Sequence, residues 1–181
     1  MNQETWRSLL VAFGIAATLI ACGGDEPASP GPSDGVSEPG DGAQAGGPLE
    51  VTGVEYKFKG LSGTVPAGTK LTFTNGGKEA HELVLVRVND DETRPLAKLL
   101  DLPEKEVQKV SKVQGVAVAA PGKRGNVVEG DLTVAKPGRY AALCFIPVGT
   151  KELPKGPSDK GDKPSGPPHV AKGMVAEFTV E

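Results

Sequence analysis

Short apolar runs cut by glycine and proline turns leave residues 50–181 little choice but β-structure. Candidate strands fall at Val51–Phe58, Lys70–Thr74, Glu82–Val88, Gly115–Ala120, Asn126–Val134, Gly138–Phe145 and Met174–Val180. Leu71-Thr72-Phe73-Thr74 and Ala176-Glu177-Phe178-Thr179-Val180 alternate apolar with polar, the period of a half-buried strand. Val65-Pro66-Ala67-Gly68-Thr69 and Lys136-Pro137-Gly138 are turn signals. The 132 residues hold 18 valines, and seven or so short strands at this spacing favour an all-β sandwich. Residues 93–112 break the pattern. Leu96, Leu99, Leu100, Val107 and Val110 recur at helical spacing, with Pro95 and Pro103 at first-turn positions, so a short helical hairpin is expected to cover one end of the sandwich.

The N-terminal part reads differently. Leu9 to Ala21 is a run of 13 apolar or small residues. A spanning helix needs about 20, so the run suits the apolar region of a secretory signal instead. It ends in Leu19-Ile20-Ala21-Cys22, which looks like a bacterial lipobox and implies that Cys22 becomes the lipidated first residue of the mature protein. Residues 1–22 are therefore read as a lipoprotein signal peptide. Residues 23–49 contain eight Gly, five Pro, five acidic residues and no Lys or Arg. Such a stretch cannot bury enough apolar surface to offset its ordering entropy, and it reads as a disordered acidic tether. The expected location is the cell envelope, lipid-anchored on the extracytoplasmic side, either facing the periplasm or at the cell surface.

Charge and composition exclude several classes. The chain carries 20 Lys+Arg against 23 Asp+Glu, which argues against a nucleic-acid binder. Only two Cys and two His are present, too few for a zinc finger or a multi-His metalloenzyme. Beyond Cys22, residues 50–181 hold His81, His169, Cys144 and Met174 and no other imidazole, thiol or thioether. Two imidazoles, a thiolate and a weak axial thioether make up a blue-copper ligand set. Thiolate and thioether suit Cu(I), imidazole suits both oxidation states, and a trigonal site lies between their preferred geometries. Taken singly, each residue has a duller role open to it: Cys144 as a small buried hydrophobe, His81 as a hydrogen-bonded structural residue, His169 as a surface residue, Met174 as plain core.

Order along the chain adds to this. Gly138-Arg139-Tyr140-Ala141-Ala142-Leu143-Cys144 runs as a strand into a loop, and Pro168-His169-Val170-Ala171-Lys172-Gly173-Met174 leads into the last strand. These segments resemble the C-terminal signature of the cupredoxins (plastocyanin, azurin and pseudoazurin), and Thr74-Asn75-Gly76-Gly77-Lys78-Glu79-Ala80-His81 resembles their earlier histidine segment. The resemblance spans most of residues 50–181. It implies a Greek-key β-sandwich, one copper ion held by His81, Cys144 and His169 with Met174 axial, and one-electron transfer through the exposed edge of the second histidine. It also implies a redox partner protein, a monomer, and no enzymatic activity, since a copper oxidase or nitrite reductase needs further histidines. Two other readings stay open: copper capture or delivery without redox turnover, and a metal-free interaction module.

Two features depart from the family. First, 24 residues separate Cys144 from His169, where plastocyanin-like sites have only a few. The longer loop costs about 1.5 kcal/mol of closure entropy, against the order of 10 kcal/mol that a tight soft-metal site supplies. A loosely held His169 is expected in the metal-free protein. Second, Glu82 and Phe145 follow the first His and the Cys, where many cupredoxins have Asn and Ser or Thr. Strand alternation leaves open whether Glu82 faces the metal. Lys151, Lys155, Lys160, Lys163 and Lys172 form either a docking surface or, interleaved with Glu152, Asp159 and Asp162, a solvated loop.

Overall fold

In a computed structural model the structure describes residues 47–153 and 166–181. The signal run, Cys22, nearly all of the tether, and Lys155, Lys160 and Lys163 of the insertion lie outside those residues.

Ten strands form two sheets among the described residues. They are β1 (Leu49–Val54), β2 (Lys57–Lys59), β3 (Thr64–Val65), β4 (Thr69–Asn75), β5 (His81–Val88), β6 (Ser111–Ala119), β7 (Asn126–Gly130), β8 (Thr133–Val134), β9 (Gly138–Leu143) and β10 (Val175–Val180). One sheet has the order β2-β1-β4-β8 and the other β3-β10-β9-β5-β6-β7. Neighbours distant in sequence, such as β5 beside β9, are the crossovers of a Greek-key sandwich. Val51, Leu71, Phe73, Leu83, Leu85, Tyr140 and Phe178 fill the space between the layers.

The sequence expectations differ from the structure in three places. The first expected strand, Val51–Phe58, is two strands paired as a hairpin, with Val54 opposite Lys57. The stretch Asn126–Val134 also divides, β7 and β8 lying in different sheets. The chain bends at Gly130 (φ +58°), where a Cβ would run into the Gln114 carbonyl, and Asp131 Oδ1 then accepts from the Thr133 amide and hydroxyl, both at 3.0 Å. Finally, the helical hairpin, α1 (Leu96–Leu99) and α2 (Glu104–Val110), covers the outer face of the six-stranded sheet rather than an end.

That placement explains β5. Its Leu83 and Leu85 face the interior, while Val84 and Val86 pack outward with Leu96, Val116 and Leu143. A central strand covered on both faces reads as a continuous apolar run, as Leu83-Val84-Leu85-Val86 does. A cavity of about 550 Å³ lies between hairpin and sheet, with Glu82, Val84, Val86 and Leu99 in its wall. Glu82 thus belongs to the outer face, one residue out of phase with His81.

Candidate metal centre

The antiparallel registers bring three strand ends together. Leu143, the last residue of β9, lies opposite both Val84 of β5 and Val175 of β10. His81 at the start of β5, Cys144 just beyond β9 and Met174 just before β10 therefore share one end of the sheet. His169 opens a turn of 3-10 helix, His169–Lys172, behind Pro168.

The imidazole atoms His81 Nδ1 and His169 Nδ1 are 3.1 Å apart, and Cys144 Sγ is 3.4 Å from His169 Nδ1. All three candidate ligand atoms lie within 4.8 Å of one another. Donors so spaced can surround one ion at metal–ligand distances of roughly 2.0–2.3 Å. All three residues are 0% exposed, as is Met174, which lies in the same interior cluster as Cys144. The Met174 amide donates to the His169 carbonyl at 3.0 Å.

Burial sets the protonation of the group. It lowers His81 to about 4, helped by neighbouring His169 and opposed by Glu55 and Glu79. It lowers His169 as well, against the pull of Glu79. Both imidazoles are thus neutral at neutral pH, the form that ligates metal. Burial, followed by the charge of Glu82, raises the Cys144 thiol. A thiolate there needs a cation beside it, and a bound metal is one. This donor set of two neutral imidazoles and a dry thiol fits a soft, redox-capable ion.

Contrary to the expectation of a loose loop, His169 is tied down. Its amide donates to the Ile146 carbonyl at 2.9 Å, and the Val170 amide to the Cys144 carbonyl at 2.7 Å. Pro147 and Pro168 form a β-bridge, and the Val148 amide donates to the Pro167 carbonyl at 2.9 Å. The insertion is thus closed at its base, and its length has little leverage on the histidine. The edge of His169 is also not open. The Tyr56 ring stands against it at 4.9 Å between centroids, nearly edge-on.

Glu82 has a clear position. Its amide donates to Cys144 Sγ at 3.4 Å, and its Oε1 accepts from the Phe145 amide at 2.7 Å. One residue thereby pins the cysteine loop to the first-histidine strand from both its backbone and its side chain, although Asn and Ser/Thr are absent at these positions. Burial raises its carboxyl to about 7, opposed by the Phe145 amide. Removing the acceptor takes this bond from the Phe145 amide, so Glu82→Ala is expected to cost about 1 kcal/mol in urea unfolding.

Several contacts of the centre carried no sequence signal, although Asn75 and Glu79 stand in the segment that resembles the first-histidine loop. Asn75 is buried and ties the loop before His81. Its Nδ2 donates to the Glu79 and Ala119 carbonyls at 2.8 and 3.0 Å, and its Oδ1 accepts from the Gly77 amide at 2.8 Å. Glu79 reaches His169, with its Oε2 3.0 Å from Nε2. Glu55 accepts from the Lys78 and Glu79 amides. The Asn75-Gly76-Gly77 turn announced a loop, but nothing announced its carboxylates. Among the lysines considered for docking, Lys172 is exposed beside the His169 turn and Lys151 lies on the insertion's first flank.

No protein-family model matches the sequence, and no curated protein matches it. Among solved structures, a dithionite-reduced auracyanin from Roseiflexus castenholzii is similar at 22% identity over 77% of this chain and 99% of its own, with a TM-score of 0.43. Auracyanin A, a "blue" copper protein from Chloroflexus aurantiacus, is similar at 17% identity over 75% of this chain and 100% of its own (TM-score 0.40). An oxidised plastocyanin from Dryopteris crassirhizoma is similar at 21% identity over 73% of this chain and 99% of its own (TM-score 0.34). The case for a metal centre stands on the chain's own geometry: a two-sheet β-sandwich with two imidazole nitrogens and a sulfur converging at one end.

Proposed function

We propose that the domain binds one copper ion through His81, Cys144 and His169, with Met174 as a weak fourth ligand, and serves as a one-electron carrier. The observation that carries this reading is the approach of two buried Nδ1 atoms and one Sγ within 4.8 Å. When bound, copper supplies a one-electron couple. The chain supplies a rigid, dry ligand cage, so little rearrangement accompanies the change of oxidation state. Rigidity comes from the Glu82 link between β5 and the cysteine loop and from the backbone bonds between residues 144–148 and 167–170. The Leu-Ile-Ala-Cys sequence at 19–22 supports a lipid on Cys22 that holds the carrier at the extracytoplasmic membrane surface, where it meets a redox partner protein.

Adding one equivalent of Cu(II) to the purified chain is expected to give an intense visible thiolate-to-copper band and a reversible one-electron wave. A colourless protein that holds Cu(I) tightly and gives no wave would identify a copper-capture protein instead. No copper uptake and no thermal shift would leave a metal-free module.

A further inference from the structure

The two imidazoles at the centre are each backed by a carboxylate. Glu79 Oε2 sits 3.0 Å from His169 Nε2 and also accepts the Gly149 amide at 2.7 Å. Glu55 Oε1 sits 3.7 Å from His81 Nε2, which is too long for a hydrogen bond but close for a charge. His81 Nε2 has no hydrogen-bond partner among the described residues.

A carboxylate oxygen that already accepts an amide hydrogen receives another and gives none. His169 must then carry its hydrogen on Nε2, leaving the Nδ1 lone pair bare toward His81 and Cys144. The 3.1 Å contact between the two Nδ1 atoms needs one hydrogen, which falls to His81 in the metal-free protein. Ligation through His81 Nδ1 would require its hydrogen to move to Nε2, which has no hydrogen-bond partner among the described residues and faces Glu55. It would also require the Cys144 thiol to give its proton to solvent, whereas His169 is already in the ligating tautomer.

Glu79 is placed by several independent contacts. Asn75 Nδ2 holds its carbonyl and Glu55 Oε1 holds its amide. The adjoining Ala80 amide donates to the Thr150 carbonyl at 2.7 Å. Gly77 leaves room for the arrangement, since a Cβ there would lie 2.5 Å from Glu55 Oε1 and 2.8 Å from His81 Nε2. Glu79 itself is only partly exposed, so its charge is incompletely screened.

We propose that Glu79 is the positioning residue of the centre. It fixes His169 in the Nε2–H tautomer, and its negative charge behind that ligand favours the more highly charged state of the bound metal. Glu55, without a hydrogen bond to His81, adds only its charge behind that ligand. The charge effect rests on the copper reading, whereas the tautomer does not.

Nitrogen-15 NMR of the metal-free chain tests the tautomer. His169 is expected to be protonated on Nε2 in the wild type and in Glu79→Gln, and to populate both tautomers in Glu79→Ala. Voltammetry of the copper-loaded chain tests the charge. Glu79→Gln is expected to raise the reduction potential above both the wild type and Asp101→Asn, a charge removal at an exposed position of the helical hairpin. Copper affinity is expected to fall 10–100-fold in Glu79→Ala and to be largely rescued in Glu79→Gln. Protonation of wild-type His169 on Nδ1, or a Glu79→Gln potential no higher than that of Asp101→Asn, would overturn the inference. A wild type that binds no copper yet shows the Nε2–H tautomer would sink the carrier reading while supporting the role of Glu79. A blue, reversible wild type with the opposite tautomer would do the reverse.

Discussion

Cys144→Ala is expected to abolish the visible band of the copper-loaded chain while leaving the sandwich folded. Cys144 is fully buried in the interior cluster with Ala80, Ala142 and Met174. Losing its sulfur leaves a void smaller than the one a leucine truncation makes, so the metal-free variant should lose only about 1 kcal/mol in denaturant unfolding. The ligand effect is far larger. Sulfur is the softest donor of the set and the source of the charge-transfer colour. If the site supplies on the order of 10 kcal/mol of metal binding, losing one of three strong donors removes about 3 kcal/mol or more, which is roughly 100-fold in affinity. Thermal stabilisation by copper should shrink accordingly, because ligand linkage scales with the logarithm of the affinity. A visible band that survives in Cys144→Ala would show that the thiolate is not a ligand.

The other large effect is expected at Asn75, which never contacts the ligand atoms. Asn75 is 1% exposed and makes three hydrogen bonds, to the Gly77 amide and to the Glu79 and Ala119 carbonyls. Asn75→Ala removes all three and deprives one amide and two carbonyls of these partners in a partly buried loop. At about 1 kcal/mol for each bond, the expected loss is roughly 3 kcal/mol by equilibrium unfolding. The same loop delivers Glu79 to His169 and sets the entry of His81, so copper affinity should fall as well. Asn75→Asp is the discriminating control: it keeps the Gly77 bond but sets a buried carboxylate oxygen against the Glu79 and Ala119 carbonyls, so at neutral pH it should be no more stable than Asn75→Ala. Unfolding of Asn75→Ala at the wild-type denaturant midpoint would mean that the loop is held by other contacts.

The centre differs from the simplest expectation in how it is closed. An exposed histidine edge was expected as the route for electrons. Instead His169 lies behind Tyr56 and Glu79. A shielded second histidine needs the Cys144–His169 insertion to be anchored, and the Pro147–Pro168 bridge anchors it. The 24 intervening residues therefore cost less order at His169 than their number implies.

Much of the architecture was legible because it is local. Period-two alternation marks Leu71–Thr74 and Ala176–Val180, and both lie in strands. The Leu96 and Leu99 spacing marks a helix, and both leucines are buried. The scarcity of ligating residue types singled out His81, Cys144, His169 and Met174 without any knowledge of where they lie. The split of Asn126–Val134 was not legible, because it depends on the close approach of Gly130, at positive φ, to the Gln114 carbonyl on the adjacent strand, where a Cβ would not fit. Nor was the seat of the hairpin, since an amphipathic helix does not say which apolar face it covers.

The kind of fold and the inventory of donors are written in the residue order, because periodicity and residue chemistry travel with the chain. Tertiary structure alone decided that Glu82 turns outward while its amide reaches Cys144, and that Glu79 stands behind a histidine 90 positions away. Those contacts join residues on separate loops whose spacing is fixed only when the sheets pack. Electrostatics and hydrogen bonding act over a few ångströms of space, with no regard for distance along the chain.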